Sequence, residues 1–459
     1  MRSKSVVRLA VGLACILSPL NARAKVSFNN VLFSDGMVLQ RNVVAPIWGL
    51  ASPGEIVTVS IVTQKKTATA DSSGHWTVSL DPMAAGGPYV LQAQGNGPAV
   101  SIHNVLVGEV WVASGQSNMV IPQEPASVTA MYPNVRTLNT SSWSDLPAAT
   151  AFWFAADLSQ QLGVPVGILN RAISGSGLVS WLGNTVPQDP DPNVRSLLAG
   201  RGFFNNNYQS EIVTLQPYAI RGVIWWQGEA NYGAAGIYSI LFPALIRSWR
   251  TEWGQGNFPF LFAQVPKGGG VTAADGAPDA LPGQPPLTSE NSLMRQAYFA
   301  TASEVPGGGL LNTLDLPGGL HPNGKDEYGE RFALLALGSV YGQSISMAGP
   351  ILESACLEGN VIRLQYRNNT ALGLFALGGG PLQGFAVGTS DANMGWARAQ
   401  IDGNTVVLSA NSIPRSAVVR YAWGGLPTWA NLFSEGGLSA APFSVQLSAG
   451  PAGCWTVSN

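Results

Sequence analysis

Charge is scarce in this chain of 459 residues. Only 11% are Asp, Glu, Lys or Arg, against about 25% in ordinary soluble domains. With 24 basic and 26 acidic residues there is no basic excess to neutralise a phosphate backbone, which excludes nucleic acid as an expected partner. Low charge beside 46% hydrophobic residues also excludes a disordered chain, which needs the opposite balance. Histidine and cysteine number only three each. His75, His103 and His321 lack ligand-like spacing, the thiols are not clustered, and no zinc site is expected. No phosphate-cradling glycine loop occurs, so no cofactor is expected. Beyond residue 20 no apolar run is long enough to span a bilayer.

The first residues do carry a signal. Arg2, Lys4 and Arg8 precede an apolar stretch over 9–20, and Ala22-Arg23-Ala24 supplies a small-x-small cleavage pattern. That is an export signal over 1–24, implying a periplasmic or secreted product. Its removal takes four positive charges from a chain of net charge −2 and leaves −6. Two cysteines remain, Cys356 and Cys454, and an even pair in an exported chain is expected to form a disulfide.

Glycine is abundant, at 54, with 31 Pro and 14 Trp. Residues 25–104 read as a β-sandwich: alternating runs at 57–63, 76–80 and 89–93 are separated by turn signals. From 105 to 345 the pattern changes, with strand candidates at 105–113, 166–170, 222–226, 258–265 and 309–315. A helix over 238–253 places Leu241, Phe242, Leu245, Ile246 and Trp249 on one face. This alternation predicts an α/β domain with a mostly parallel sheet between helices. After 346 short alternating strands return, giving a C-terminal β-rich domain over 346–459. The Gly-, Pro- and Ala-rich segment 266–291 is either a surface loop or a wall of the site.

Ser117 sits in Ser114-Gly115-Gln116-Ser117-Asn118-Met119, directly after an apolar strand. A serine needs a base to attack at neutral pH. His75 and His103 fall in the N-terminal β region, which leaves His321, in Gly319-Leu320-His321-Pro322, as the base. A strand-end serine early in the fold and a histidine late in it form the pattern of a serine hydrolase. Ser117, Gly175, Gln227 and His321 all follow predicted strands, where ligands of parallel sheets bind.

Several separated blocks carry a resemblance: 31–41, Gly115-Gln116-Ser117-Asn118-Met119, 218–231 with Trp226-Gln227-Gly228-Glu229, 321–331 and 419–423. Through them the chain resembles the bacterial sialate O-acetylesterase family of the SGNH (GDSL-like) hydrolase superfamily. The resemblance implies an SGNH-type three-layer α/β/α catalytic domain over 105–345, flanked by the two β-rich domains. It implies an oxyanion hole from the N–H of Ser117, the N–H of Gly175 and the amide of Gln227. The family usually places an aspartate two or three residues before the histidine; here those positions are Gly319 and Gly318. Three candidates for the orienting group remain open: Glu229, Asp315, or a backbone carbonyl serving a Ser-His dyad.

The expectation is an exported serine carbohydrate O-acetylesterase, acting through an acetyl-enzyme on an acetylated oligosaccharide or polysaccharide. The substrate is O-acetylated sialic acid or a plant glycan such as xylan or xyloglucan. Trp181 and Trp226 are candidate sugar platforms, with the core the favoured place for Trp226, and Arg171 and Arg201 are candidate partners for a sugar carboxylate. The alternatives are a catalytically impaired glycan-binding protein, motivated by the lost aspartate, and a deacylase of a non-sugar ester. Oligomeric state has no signature in the sequence.

Overall fold

The computed structural model describes residues 25–28, 30–199, 203–268, 283–367, 370–448 and 453–456. The expected leader 1–24, Arg201 and most of the segment 266–291 lie outside these residues.

A single strand, β1 (Val100–Gly115), organises the molecule. Its first half pairs antiparallel with the strand Gly86–Gln94, and through it with the N-terminal hairpin Ile56–Ile61 and Gln64–Thr69. Its second half pairs parallel on both sides, with β3 (Val166–Ala172) and β4 (Gly222–Trp226). Beyond β3 lies the short β2 (Val135–Leu138); beyond β4 lie β5 (Phe260–Ala263) and β6 (Gly308–Leu311). The parallel order is therefore β2-β3-β1-β4-β5-β6. The strand runs uninterrupted through residues 104 and 105.

Side chains alternate across this sheet with the period of two that strands impose. Trp111 and Ala113 of β1 pack with Phe154 and Leu158 of α1 (Ala149–Leu162) and Phe332 of α4 (Lys325–Ser339). Val110 and Val112 join the opposite core. There α2 (Ala235–Trp253) supplies Leu241, Phe242, Leu245 and Trp249, and α3 (Glu290–Glu304) supplies Tyr298. The result is a mixed α/β domain with a parallel central sheet between two helical layers. The helical face expected around Leu241 is the buried one, and α2 begins at Ala235. The edge strand β2, only four residues long, has too little pattern to stand out in the sequence.

The remaining β structure lies at both ends. Ala45–Leu50 pairs with His75–Leu80. C-terminally, one sheet comprises Leu352–Glu358, Val361–Tyr366, Arg398–Asp402, Thr405–Ser409 and Cys454–Thr456. A second is built on Phe385–Gly388, Val418–Tyr421 and Phe443–Gln446. Cys356 and Cys454 face each other across neighbouring strands and form a disulfide. Closing a chain segment of 98 residues restricts the unfolded ensemble by about 4–5 kcal/mol in the chain-entropy picture.

Glu109, fully buried on β1, ties the two halves of that strand to their surroundings. Its carboxylate accepts from Arg41, from Arg221 Nε at 2.7 Å and from Gln40 Nε2 at 3.0 Å. Burial acts to raise its pKa, but the bond and charge of Arg221, with Gln40 and Arg41, outweigh it and hold the carboxyl below its usual range. Such a group stabilises the fold at pH values above its unfolded pKa, and the contribution is lost as pH falls through the lowered folded value. Breaking a buried pair costs ~3–5 kcal/mol. Both guanidinium groups here are partly in water, so we expect Glu109→Gln to cost about 2–3 kcal/mol at pH 7. Urea titrations should show the gap to the parent protein shrinking below about pH 4. A gap independent of pH would contradict this account.

Candidate active site

Gly115 ends β1 with φ +128°. A side chain there would also strike the backbone of Trp226: a Cβ would lie 2.1 Å from its carbonyl oxygen. Glycine lets β1 and β4 approach closely at their carboxyl ends, and the chain turns immediately into Ser117. The loop after β3 turns at Gly175, whose φ of +72° favours glycine. The histidine loop lies between β6 and α4. Three loops from the carboxyl edge of one sheet thus meet.

Ser117 Oγ and His321 Nε2 are 2.9 Å apart. A serine hydroxyl bonded to an imidazole nitrogen can be deprotonated as it attacks a carbonyl. Among the described residues, the N–H groups of Ser117 and Gly175 meet no acceptor. His75 and His103 are exposed beside Asp71 and Asp35 in the N-terminal region, away from Ser117.

Among the described residues, no carboxylate bonds His321. Glu229 is buried, and its Oε1 accepts from Trp226 Nε1 at 2.9 Å and from Asn118 Nδ2 at 2.8 Å. Asn118 Nδ2 also donates to the carbonyl of Leu320 at 3.1 Å, and Lys325 Nζ donates to Asn118 Oδ1. Glu229 therefore reaches the histidine loop through Asn118, holding the residue before His321. Burial pushes its carboxyl up, against its own backbone N–H, Trp226, Asn118 and the Lys325 charge. Burial likewise pulls the Lys325 ammonium down to about 8. That ammonium lies 4.4 Å from the centre of the Trp226 ring.

Four sequence expectations are corrected. Asp315 pairs with Arg331 and accepts from Ser439 Oγ at 2.9 Å, facing the C-terminal region rather than His321. Gln227 is fully buried, and its Nε2 donates to Ser176 O at 3.1 Å and Asn231 Oδ1 at 2.7 Å. These contacts, with Gln116 Oε1 at 3.3 Å, turn the amide nitrogen toward the loops after β3 and β4, while its oxygen is buried without a partner among the described residues. Trp181 is wholly buried against Trp225, with its Nε1 on Ser176 Oγ, and presents no face to a sugar. Arg171 is buried against the carbonyls of 138–139 and 170, near Glu211, and is spent on that loop. Trp226 is core, the place favoured for it by the sequence, and stacks on Tyr328.

Asn118, Asn231 and Lys325 were missed as functional candidates. Asn231 Oδ1 accepts from Gln227 and from Leu178 N at 2.9 Å, which leaves its Nδ2 as the free side-chain amide beside the Gly175 loop among the described residues. Asn118 had a sequence signal, its place next to Ser117. Lys325 and Asn231 had only their place in the blocks around His321 and Glu229.

A cleft of about 570 Å³ opens beside His321, between the segment after Ser117 and the start of α4. A larger cavity of about 670 Å³ lies between Thr185–Pro190, α2 and Glu304–Pro306, remote from the Ser117–His321 pair. Of the two, the smaller one borders the imidazole.

If Glu229 acts through Asn118, Glu229→Gln keeps an oxygen that accepts from Asn118 and Trp226. We expect its kcat on an aryl acetate to stay within about tenfold of the parent, whereas amide replacement of a carboxylate bonded directly to the imidazole costs ~10⁴. Asn118→Ala frees the Leu320 carbonyl and should lower kcat by about 10–100-fold through misplacement of His321. A loss near 10⁴ in Glu229→Gln would show that the carboxylate charge itself acts on the ring.

The family model for sialic acid-specific acetylesterases among the carbohydrate esterases matches residues 107–281. Human sialate O-acetylesterase is 28% identical over 70% of this chain and 72% of its own length. The mouse sialate O-acetylesterase is 26% identical over 94% and 97%. The crystal structure of a carbohydrate acetylesterase from Xanthomonas citri is 30% identical, superposes with a TM-score of 0.77, and covers 92% of this chain and 99% of its own. Both the likeness in sequence and that in structure run nearly end to end, and the chain belongs to this family of carbohydrate esterases and is a carboxylic ester hydrolase.

Proposed function

We propose that the protein removes acetyl groups from sugar hydroxyls through an acetyl-enzyme on Ser117. The single observation that carries this reading is the 2.9 Å contact between Ser117 Oγ and His321 Nε2 at the carboxyl edge of a parallel sheet. Ser117 Oγ attacks the acetyl carbonyl carbon while its proton passes to Nε2. The N–H groups of Ser117 and Gly175 take the developing oxyanion, with the Asn231 amide beside them. The C–O bond to the sugar then breaks, and the imidazolium returns the proton to the departing sugar oxygen. Water, deprotonated by the same nitrogen, attacks the acetyl carbon and releases acetate and the free serine.

The pair works as a dyad in which the Glu229–Asn118–Leu320 connection holds the backbone next to His321. The catalytic unit is of the SGNH type and spans 105–345, with 25–104 and 346–459 bracing it, and residues 1–24 act as an export leader. The substrate is a carbohydrate O-acetyl ester, on sialic acid or on a plant polysaccharide such as xylan or xyloglucan. The names of the relatives support the first; the second serves the same chemistry.

Acid quenching during turnover of an aryl acetate, followed by peptide mass spectrometry, should find one acetyl group on the peptide containing Ser117. Ser117→Ala should lower kcat by on the order of 10⁴-fold or more. Acetylation elsewhere, or an unaffected Ser117→Ala, would remove Ser117 from the mechanism. No turnover by the parent protein would leave the glycan-binding reading in its place.

A further inference from the structure

The cleft beside His321 has a composition that the reaction does not use. Its described lining is Ile121, Pro122, Glu124, Ala149, Trp153 and the run from His321 to Asp326. The chain reaches it directly from Ser117, whose carbonyl accepts from the N–H of Ile121 at 2.9 Å. Trp153, on the first turn and a half of α1, is partly exposed. Its ring is fixed edge-on against Tyr132 and Phe152, and its Nε1 donates to Glu124 Oε1 at 3.0 Å. That bond leaves Glu124 Oε2 without a partner among the described residues. A rigid indole next to an open carboxylate oxygen suits a pyranose: apolar C–H bonds lie on the ring and hydroxyls donate to the carboxylate. A cleft of about 570 Å³ falls in the range of small-ligand sites.

The charge of the cleft narrows the ligand further. Glu124 and Asp326 line it. Beyond Asp326, Asp157, Glu327 and Glu330 form an acidic neighbourhood, with Arg331 the cation among them and already paired with Asp315. Lys325 borders the cleft but is buried, bonded to Asn118 and set over the Trp226 and Tyr328 rings. Of the two arginines offered by sequence, Arg171 is enclosed elsewhere and Arg201 lies outside the described residues. A sugar carboxylate placed here would face two carboxylates, and the described lining holds no cation but the bonded Lys325; Lys267, half-buried, packs against Gly318 outside that lining.

We propose that this cleft is a subsite for an uncharged pyranose ring of the acetylated glycan, with Trp153 as its apolar wall and Glu124 as acceptor for its hydroxyls. This rests on the esterase reading above and names the substrate class within it: neutral acetylated glycans rather than acetylated sialic acid. Glu124 and Asp326 act against the charged sugar.

Two measurements test it. First, kcat/KM is compared on 4-nitrophenyl acetate, an acetylated xylo-oligosaccharide and O-acetylated sialic acid. We expect Trp153→Ala and Glu124→Ala each to lower the ratio of xylo-oligosaccharide to aryl acetate by about tenfold, mainly through KM, with Trp153→Phe losing less. The double change Glu124→Gln, Asp326→Asn should raise the sialic acid to xylo-oligosaccharide ratio by about fivefold or more. Ratios within about twofold of the parent in all variants would overturn the subsite. A parent preference for acetylated sialic acid would overturn its neutrality. Second, calorimetry on Ser117→Ala protein with an unacetylated xylo-oligosaccharide needs no turnover. Binding that Glu124→Ala weakens supports the subsite, and no binding overturns it, even if the esterase reading itself fails because the parent hydrolyses no ester.

Discussion

Parallel pairing of β1 with β3 and β4 is the constraint from which the site follows. In such a sheet all carboxyl ends lie on one edge, so the loops after the three strands must meet there. The approach is close because Gly115 leaves no side chain between β1 and the backbone of Trp226. Ser117, the Gly175 turn and the Gln227–Asn231 loop are therefore neighbours before any side-chain interaction is considered. The same strand, continued backwards to Val100, welds the N-terminal β structure to the catalytic sheet. Glu109 anchors it where the pairing changes from antiparallel to parallel.

At the carboxyl edge a buried polar network lies against the histidine loop, in which Gly318 and Gly319 stand where the family usually has an aspartate. One amide, Asn118, binds Glu229, the Leu320 carbonyl and Lys325. Inside a protein such bonds strengthen one another, and an unmade one is costly. Lys325 and Glu229 are both pushed by burial toward their neutral forms, and each is partly relieved by the other. The network fixes the backbone that carries His321, while the imidazole itself stays exposed to the cleft. Positioning by backbone is available here because the histidine precedes α4 by four residues, and Lys325 starts that helix.

Much of this was legible in the sequence. Ser117 and His321 stood out because the chain offers one strand-end serine with flanking glycine and few histidines, and the structure brings the two within hydrogen-bond distance. The parallel strands and α2 followed from hydrophobic periodicity. The paired cysteines followed from number and compartment, and they are bonded. Trp181, Arg171, Asp315 and Gln227 were misread in role because each residue type suits either a site or a core. Nothing local in the sequence says which way a side chain turns. Trp153 went unnoticed among fourteen tryptophans for the same reason.

The sequence by itself determined the element types, the order of the loops and the candidate pair Ser117 and His321, because these depend on local pattern and on rare residue types. Tertiary structure alone decided which tryptophan faces the cleft, which acid touches the histidine loop, and that it does so through Asn118. Those outcomes depend on contacts between positions more than a hundred residues apart, such as Asn118 with Glu229 and Leu320. Packing of the helices against the two faces of the sheet fixes them, and no local stretch of sequence encodes that packing.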